Sequence, residues 1–143
     1  MKLTYTLQSA AAVALLTLAQ VASAQVAVIV NPKSTLATMT PEQVAAIFMG
    51  KSATLPSGQT AVPADLPESS SARDQFYSKA AGKSPSQVKA TWARLTFSGK
   101  ATPPKEVPTA ADVKKHVAAN VDAIGYIEKS AVDSTVKVVL TVE

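Results

Sequence analysis

The sequence predicts an α/β domain in which helical crossovers connect the strands of a mixed sheet. Residues 26–30 form a continuous apolar run rich in β-branched side chains, and residues 136–141 alternate in polarity. Both patterns are typical of strands, buried on two faces in the first case and on one in the second. Amphipathic helical segments lie between them, and such interleaving favours an α/β sheet over a helical bundle or a β-sandwich.

The first strand and the first helix have clear sequence signals. Val26–Val30 is apolar throughout, which predicts a strand in the centre of the sheet. Thr40 is a suitable N-cap for the next helix, because Pro41 fits the first helical position and Gln43 completes a capping box. Gly50 is expected to end this helix.

The middle of the chain combines a weak strand signal with two helices. Residues 60–65 predict a short strand, and Pro63 confines it to an edge or irregular position because proline donates no ladder hydrogen bond. A helix is expected after the serine run at 69–71, and another over residues 84–99. The order of elements so far is strand, helix, strand and two helices.

The last part of the chain begins with a proline-rich segment. Residues 101–108 contain three prolines and are expected to form an extended linker. Thr109 then caps a further helix, and residues 123–127 and 136–141 are predicted to finish the sheet as strands.

The N-terminus is predicted to be a cleavable secretory signal over residues 1–24. Lys2 provides a positive start, residues 10–19 are almost wholly apolar, and Ala22-Ser23-Ala24 has the small residues that signal peptidase requires. The apolar run is shorter than the roughly 20 residues needed to span a bilayer. We therefore expect residues 25–143 to form one periplasmic domain without stable membrane insertion after cleavage.

Composition argues against several classes of function. The absence of cysteine excludes disulfides, thiolate metal sites and a cysteine nucleophile. His116 is the single histidine and is expected to be a solvated surface residue, and the acidic residues are spread without a close catalytic pair. The basic residues are scattered, which disfavours nucleic-acid binding. No metal, cofactor or enzymatic activity is expected.

One segment has the chemical character of a binding site. Ser69, Ser70 and Ser71 stand at a predicted helix start, and Arg73 follows within the first turn. Free backbone N–H groups, the helix dipole and a guanidinium together favour a carboxylate, sulfate or phosphate. The alternative is ordinary helix capping, with Glu68 placing a negative charge where the anion would lie. The residues by themselves leave both interpretations open.

Four segments follow one another in the order and spacing of a known family: Val30-Asn31-Pro32, Met39–Lys51, the serine-rich helix start and Asp122–Ile127. Together they resemble the second lobe of PstS-type periplasmic phosphate-binding proteins. The resemblance implies a type II periplasmic-binding-protein fold, of which this chain supplies a single lobe. It also implies that Ser69, Ser70 and Ser71 match the family's phosphate loop. Asp65 stands where the family has a phosphate-binding arginine.

A single lobe offers half of a binding site. The loop Asn31–Thr35 follows the first strand at its carboxyl end, where the rest of that half-site is expected, and its polar candidates are Lys33, Ser34 and Thr35. Tight binding would then need a homodimer or a separate partner. We expect a non-enzymatic, solute-binding module that binds phosphate or sulfate weakly. The alternative is an interaction or structural protein of the cell envelope that keeps the fold without the ligand.

Overall fold

A five-stranded mixed sheet with four α-helices makes up the part of the chain that the computed structural model describes, residues 25–143. The predicted signal segment, residues 1–24, lies outside the described residues. Two short helical turns accompany the regular elements. In chain order the elements are β1 (Val26–Val30), α1 (Pro41–Phe48), β2 (Val62–Asp65), α2 (Ser71–Phe76), a π-helical turn (Tyr77–Ala81), α3 (Pro85–Phe97), β3 (Lys105–Glu106), α4 (Ala110–Ala119), β4 (Ala123–Glu128), a 3₁₀ turn (Lys129–Ala131) and β5 (Lys137–Val142).

The strands lie side by side in the order β3-β2-β4-β1-β5. β1 is antiparallel to β4 and β5, whereas β2 is parallel to β3 and β4. Val30 pairs with Ile124 and Val62 pairs with Ala123, so β1 ends at the end of the sheet where β2 and β4 begin. We call this the Asn31 end of the sheet. The opposite end, where β2 stops, is the Asp65 end.

The predicted central strand is confirmed, because β1 lies between β4 and β5 and all its side chains are buried. The predictions for the helices hold as well. α1 and α3 each begin with a capping box, on Thr40 and on Ser84, and Thr109 caps α4. None of the helices within residues 25–143 has the length and apolar character needed to span a bilayer.

Two expectations about the sheet need correction. β2 was expected at an edge or in an irregular position because of Pro63, and it lies between β3 and β4, not at an edge of the sheet. The Val62 N–H points toward β4 and donates to Asp122 O at 3.0 Å. Because N–H groups alternate in direction along a strand, the position without an N–H at Pro63 faces β3. No hydrogen bond is lost there, since pairing with β3 starts only at Ala64. The other correction concerns residues 101–108, in which the extended linker contains the two-residue strand β3.

Four aromatic rings form the core beneath the Asp65 end. Phe76 stacks on Tyr126 with ring centroids 4.0 Å apart, and Phe48 meets Phe76 edge-on at 4.9 Å. Tyr77 packs against Phe76 at 5.1 Å. Because the rings come from α1, from α2 with its π-helical turn, and from β4, this cluster holds those elements together and sets the positions of both tyrosine hydroxyls.

Candidate functional site

Asp65, the last residue of β2, holds a buried carboxylate at the Asp65 end of the sheet and is 4% exposed. Its Oδ1 accepts hydrogen bonds from the Leu66 N–H at 2.9 Å and from the Tyr126 hydroxyl. Its Oδ2 accepts from the Tyr77 hydroxyl at 2.6 Å and lies 3.2 Å from Arg73 Nη1. A buried carboxylate is stable only with such partners, and here both oxygens have two donors each.

The two tyrosines reach Asp65 from different parts of the chain. Tyr77 begins the π-helical turn after α2, and Tyr126 lies on β4, the strand beside β2. Burial raises the pKa of both hydroxyls well above the usual range, and the negative charge of Asp65 and its hydrogen bonds raise it further. Both side chains therefore remain protonated hydrogen-bond donors at neutral pH.

Arg73 supplies the positive charge next to this carboxylate. Its Nη1 donates to Leu66 O at 2.8 Å as well as pairing with Asp65, and its guanidinium lies 5.3 Å from the centre of the Tyr77 ring. The backbone N–H of Arg73 donates to Ser70 Oγ at 3.3 Å. The arginine proposed from the sequence as an anion ligand is thus already paired with an internal carboxylate.

The serine run lies beside this network on the surface. Ser70 is the N-cap of α2, which agrees with the capping interpretation of the run, while Ser69 and Ser71 are exposed. Ser34 and Thr35 lie at the Asn31 end, where Ser34 Oγ accepts from the Leu36 N–H at 3.3 Å. The structure therefore brings Ser70 close to Arg73 but does not bring Ser34 and Thr35 to them, because β1 and β2 run in opposite directions.

An open cavity of about 170 Å³ adjoins the Asp65 end. It lies at the carboxyl ends of the parallel strands β2 and β3, the place where α/β proteins most often bind ligands. The three serines are not among its lining residues, and carboxylates outnumber cations there. The charged lining residues are Asp65, Glu68, Arg73, Lys89 and Glu106.

Tyr77 and Tyr126 were not predicted from the sequence as partners of Asp65. Tyr126 lies within the strand predicted over residues 123–127. A buried tyrosine hydroxyl needs a hydrogen-bond partner, and this requirement was the signal that could have pointed to one.

His116 also differs from the expectation, since it is half-buried with Nε2 3.1 Å from Val62 O. Residues 25–143 contain no cluster of three or more metal-ligating side chains.

Comparison with solved structures assigns the class of fold. The chain has the fold of periplasmic phosphate receptors of the PstS type, as the resemblance implied. An ABC-type phosphate transport receptor from Vibrio cholerae superimposes with a TM-score of 0.63 at 22% identity, over 81% of this chain and 46% of the receptor. A putative phosphate ABC transporter substrate-binding protein from Clostridium perfringens, solved with bound phosphate, gives 0.63 at 24%, over 81% and 45%.

PstS from Borrelia burgdorferi superimposes with a TM-score of 0.60 at 15% identity, over 81% of this chain and 47% of its own. The chain thus spans less than half the length of these receptors, which is consistent with the single lobe expected from the sequence. No family model matches the sequence, and no curated protein does. At these identities, the structural comparison establishes the shared fold.

Proposed function

We propose that this protein is a periplasmic, non-enzymatic binding module that binds a small oxyanion weakly at the Asp65 end of the sheet. The observation that carries the proposal is the meeting of Arg73 and the Ser70-capped start of α2 at the carboxyl end of β2. The shared fold supports it, because the similar proteins are described as phosphate receptors. The proposed ligand is phosphate or sulfate.

Arg73 keeps donors for such a ligand. Among the described residues, its hydrogen bond to Leu66 O and its ion pair with Asp65 both use Nη1. The N–H groups on Nε and Nη2 remain to donate to an oxyanion in the cavity, which Arg73 lines. Ser69 and Ser71 do not line the cavity, but their exposed hydroxyls stand at the start of α2 and are the further donors that we propose.

The charges around the cavity explain why binding is expected to be weak. Asp65, Glu68 and Glu106 repel an anion there, and Asp65 already neutralises Arg73. A single lobe also contacts only one side of a ligand. We therefore expect a dissociation constant of about 1 mM or weaker, which corresponds to a binding free energy of at most about 4 kcal/mol.

Calorimetric titration with phosphate and with sulfate tests the proposal on protein recovered from the periplasm of an expressing bacterium. Heat of binding and a thermal shift at millimolar anion are expected. The absence of both signals would contradict oxyanion binding. The favoured interpretation would then be the alternative, an interaction protein of the cell envelope. Mass spectrometry of the same preparation tests the proposed export, with cleavage after Ala24 expected.

Variants locate the binding site. Arg73→Ala and Ser70→Ala are expected to abolish the heat of binding, measured at a temperature where circular dichroism shows a folded variant. Arg94→Ala is the matched control, because it removes the same charge from an exposed position on α3. Ser34→Ala and Thr35→Ala, at the Asn31 end, are expected to bind like the wild type. A homodimer or an envelope partner stays a prediction.

A further inference from the structure

We infer that Asp65 is an intramolecular ligand whose carboxylate fills a preformed site for a small monocarboxylate. We call this site the carboxylate pocket, and its donors are the Tyr77 and Tyr126 hydroxyls, the Leu66 N–H and Arg73 Nη1. The inference goes beyond the proposed function, because it concerns the buried donors that contact the Asp65 carboxylate. The proposed function concerns the open cavity that Arg73 lines. The inference rests on the geometry of the buried donors alone.

The donors match the two oxygens of one carboxylate. Two donors converge on Oδ1, and two converge on Oδ2. A carboxylate has about four lone-pair positions, so the pocket satisfies the group completely. Three of the donors are neutral and one is a guanidinium, which gives the pocket a single positive charge to balance the single negative charge of a carboxylate.

The pocket is held in place by groups other than Asp65. Tyr77 is 2% exposed and Tyr126 is fully buried. The Tyr126 ring stacks on Phe76 at 4.0 Å, and the Tyr77 ring meets Phe76 at 5.1 Å, so neither hydroxyl can turn to solvent without breaking the aromatic core. Each hydroxyl has one hydrogen, and each directs it at Asp65.

The same features select the chemical class of the ligand. The donors converge on two oxygens of one planar group, two donors on each oxygen, which matches a carboxylate better than a tetrahedral anion with three or four oxygens. A phosphate dianion would also bring two negative charges to the single positive charge of Arg73. In the wild type, the Asp65 carboxylate is covalently held at the pocket, which gives it a high effective concentration there. A free carboxylate therefore cannot compete with it for the four donors.

Shortening Asp65 opens the pocket to a free ligand. Asp65→Ala removes the carboxylate and keeps Cβ, so it leaves a space the size of formate, with both tyrosine hydroxyls, the Leu66 N–H and Arg73 Nη1 around it. Asp65→Gly removes Cβ as well and leaves a space the size of acetate. Ligand that binds the folded state alone raises the folding equilibrium constant, about tenfold at a concentration roughly ten times its dissociation constant.

The experiment compares urea denaturation in sodium formate with sodium chloride at equal ionic strength, using the full processed protein. The midpoint of Asp65→Ala is expected to rise with formate concentration, while the wild type responds equally to both salts. Asp133→Ala is the matched control, because Asp133 is also an aspartate paired with a cation, Lys114 at 2.9 Å, but lies exposed at the surface. It is expected to show no formate-specific effect.

Ligand size provides a second test. Acetate is expected to stabilise Asp65→Gly more than Asp65→Ala, and a double variant that adds Arg73→Ala to Asp65→Ala is expected to lose the formate response. If Asp65→Ala does not fold on expression, it is refolded from urea in each salt. Recovery in formate but not in chloride supports the inference, and failure in both overturns it.

Other results also overturn the inference. One is an Asp65→Ala midpoint that responds to formate no more than to chloride. Another is stabilisation of this variant by phosphate or sulfate to the same degree as by formate, after the response of the wild type to the same salt is subtracted, which would contradict a carboxylate pocket. These results are independent of the wild-type calorimetry, so the failure of the oxyanion proposal and of this inference are distinguishable.

Discussion

Asn31 and Asp65 are the two buried residues within residues 25–143 whose side chain is an amide or a carboxylate, and they lie at opposite ends of the sheet. Each stands where a strand stops. Asn31 Nδ2 donates to Val117 O at 2.9 Å and to Ala118 O at 3.0 Å, and its Oδ1 accepts from the Lys33 N–H at 2.9 Å. Its partners are all backbone groups, whereas Asp65 is bonded mainly to side chains.

The difference between the two ends lies in charge. The neutral amide of Asn31 is fully hydrogen-bonded by two carbonyls near the end of α4 and by the backbone N–H of Lys33. The Asn31 end therefore needs no charged side chain as a partner. A buried carboxylate needs a cation and further donors, and three side chains were brought together for it at the Asp65 end. The side-chain donors that surround a carboxylate are therefore concentrated at one end of the sheet.

The largest effect that separates the two ends is expected from Arg73→Ala. Removing the guanidinium leaves the Asp65 carboxylate buried without a cation, which costs about 3–5 kcal/mol of the free energy of unfolding. Lys33→Ala, an exposed cation at the Asn31 end, is expected to change it by less than about 0.5 kcal/mol. Urea denaturation measures both. Equal losses for the two variants would remove the distinction between the ends.

A smaller effect is expected at alkaline pH. Tyr77 and Tyr126 have raised pKa values in the folded state, so the unfolded chain loses these protons first, near pH 10. Stability is then fully present below about pH 10 and is lost as the pH rises, by roughly 1.4 kcal/mol per pH unit for each tyrosine. Tyr126→Phe is expected to reduce this slope by about half.

The absorbance of tyrosinate checks this directly, because Tyr77 and Tyr126 are the two tyrosines of residues 25–143. It is expected to appear together with the loss of the far-ultraviolet circular dichroism of the folded protein. Tyrosinate forming near pH 10 in a protein that remains folded would show that the hydroxyls are not held by Asp65.

The smallest effect is expected from Asn31→Ala. This change removes two hydrogen bonds to α4 and one to the turn, at a cost of about 1–2 kcal/mol, since water can reach carbonyls at a helix end. The alkaline titration of the two tyrosines is expected to stay as in the wild type. A changed tyrosine titration in this variant would mean that the two ends are coupled through β4.

Much of the fold follows from local signals. The Thr40 capping box, the apolar run of β1 and the serine cap of α2 were all predicted, because each depends on residues within one turn or one strand. The position of β2 inside the sheet was not predicted, because the effect of Pro63 depends on the residue of β2 at which pairing with β3 begins. That register is set by residues about 40 positions apart along the chain.

For the candidate site, local sequence is enough to predict a helix that starts at the serine run with Arg73 in its first turn, and Ser70 is its cap in the structure. The partner of Arg73 follows from the tertiary structure. Tyr126 is 61 residues from Asp65, and the register between β2 and β4 brings them together. The directions of β1 and β2 likewise keep Ser34 and Thr35 away from Arg73, since strand direction depends on pairing across the whole sheet.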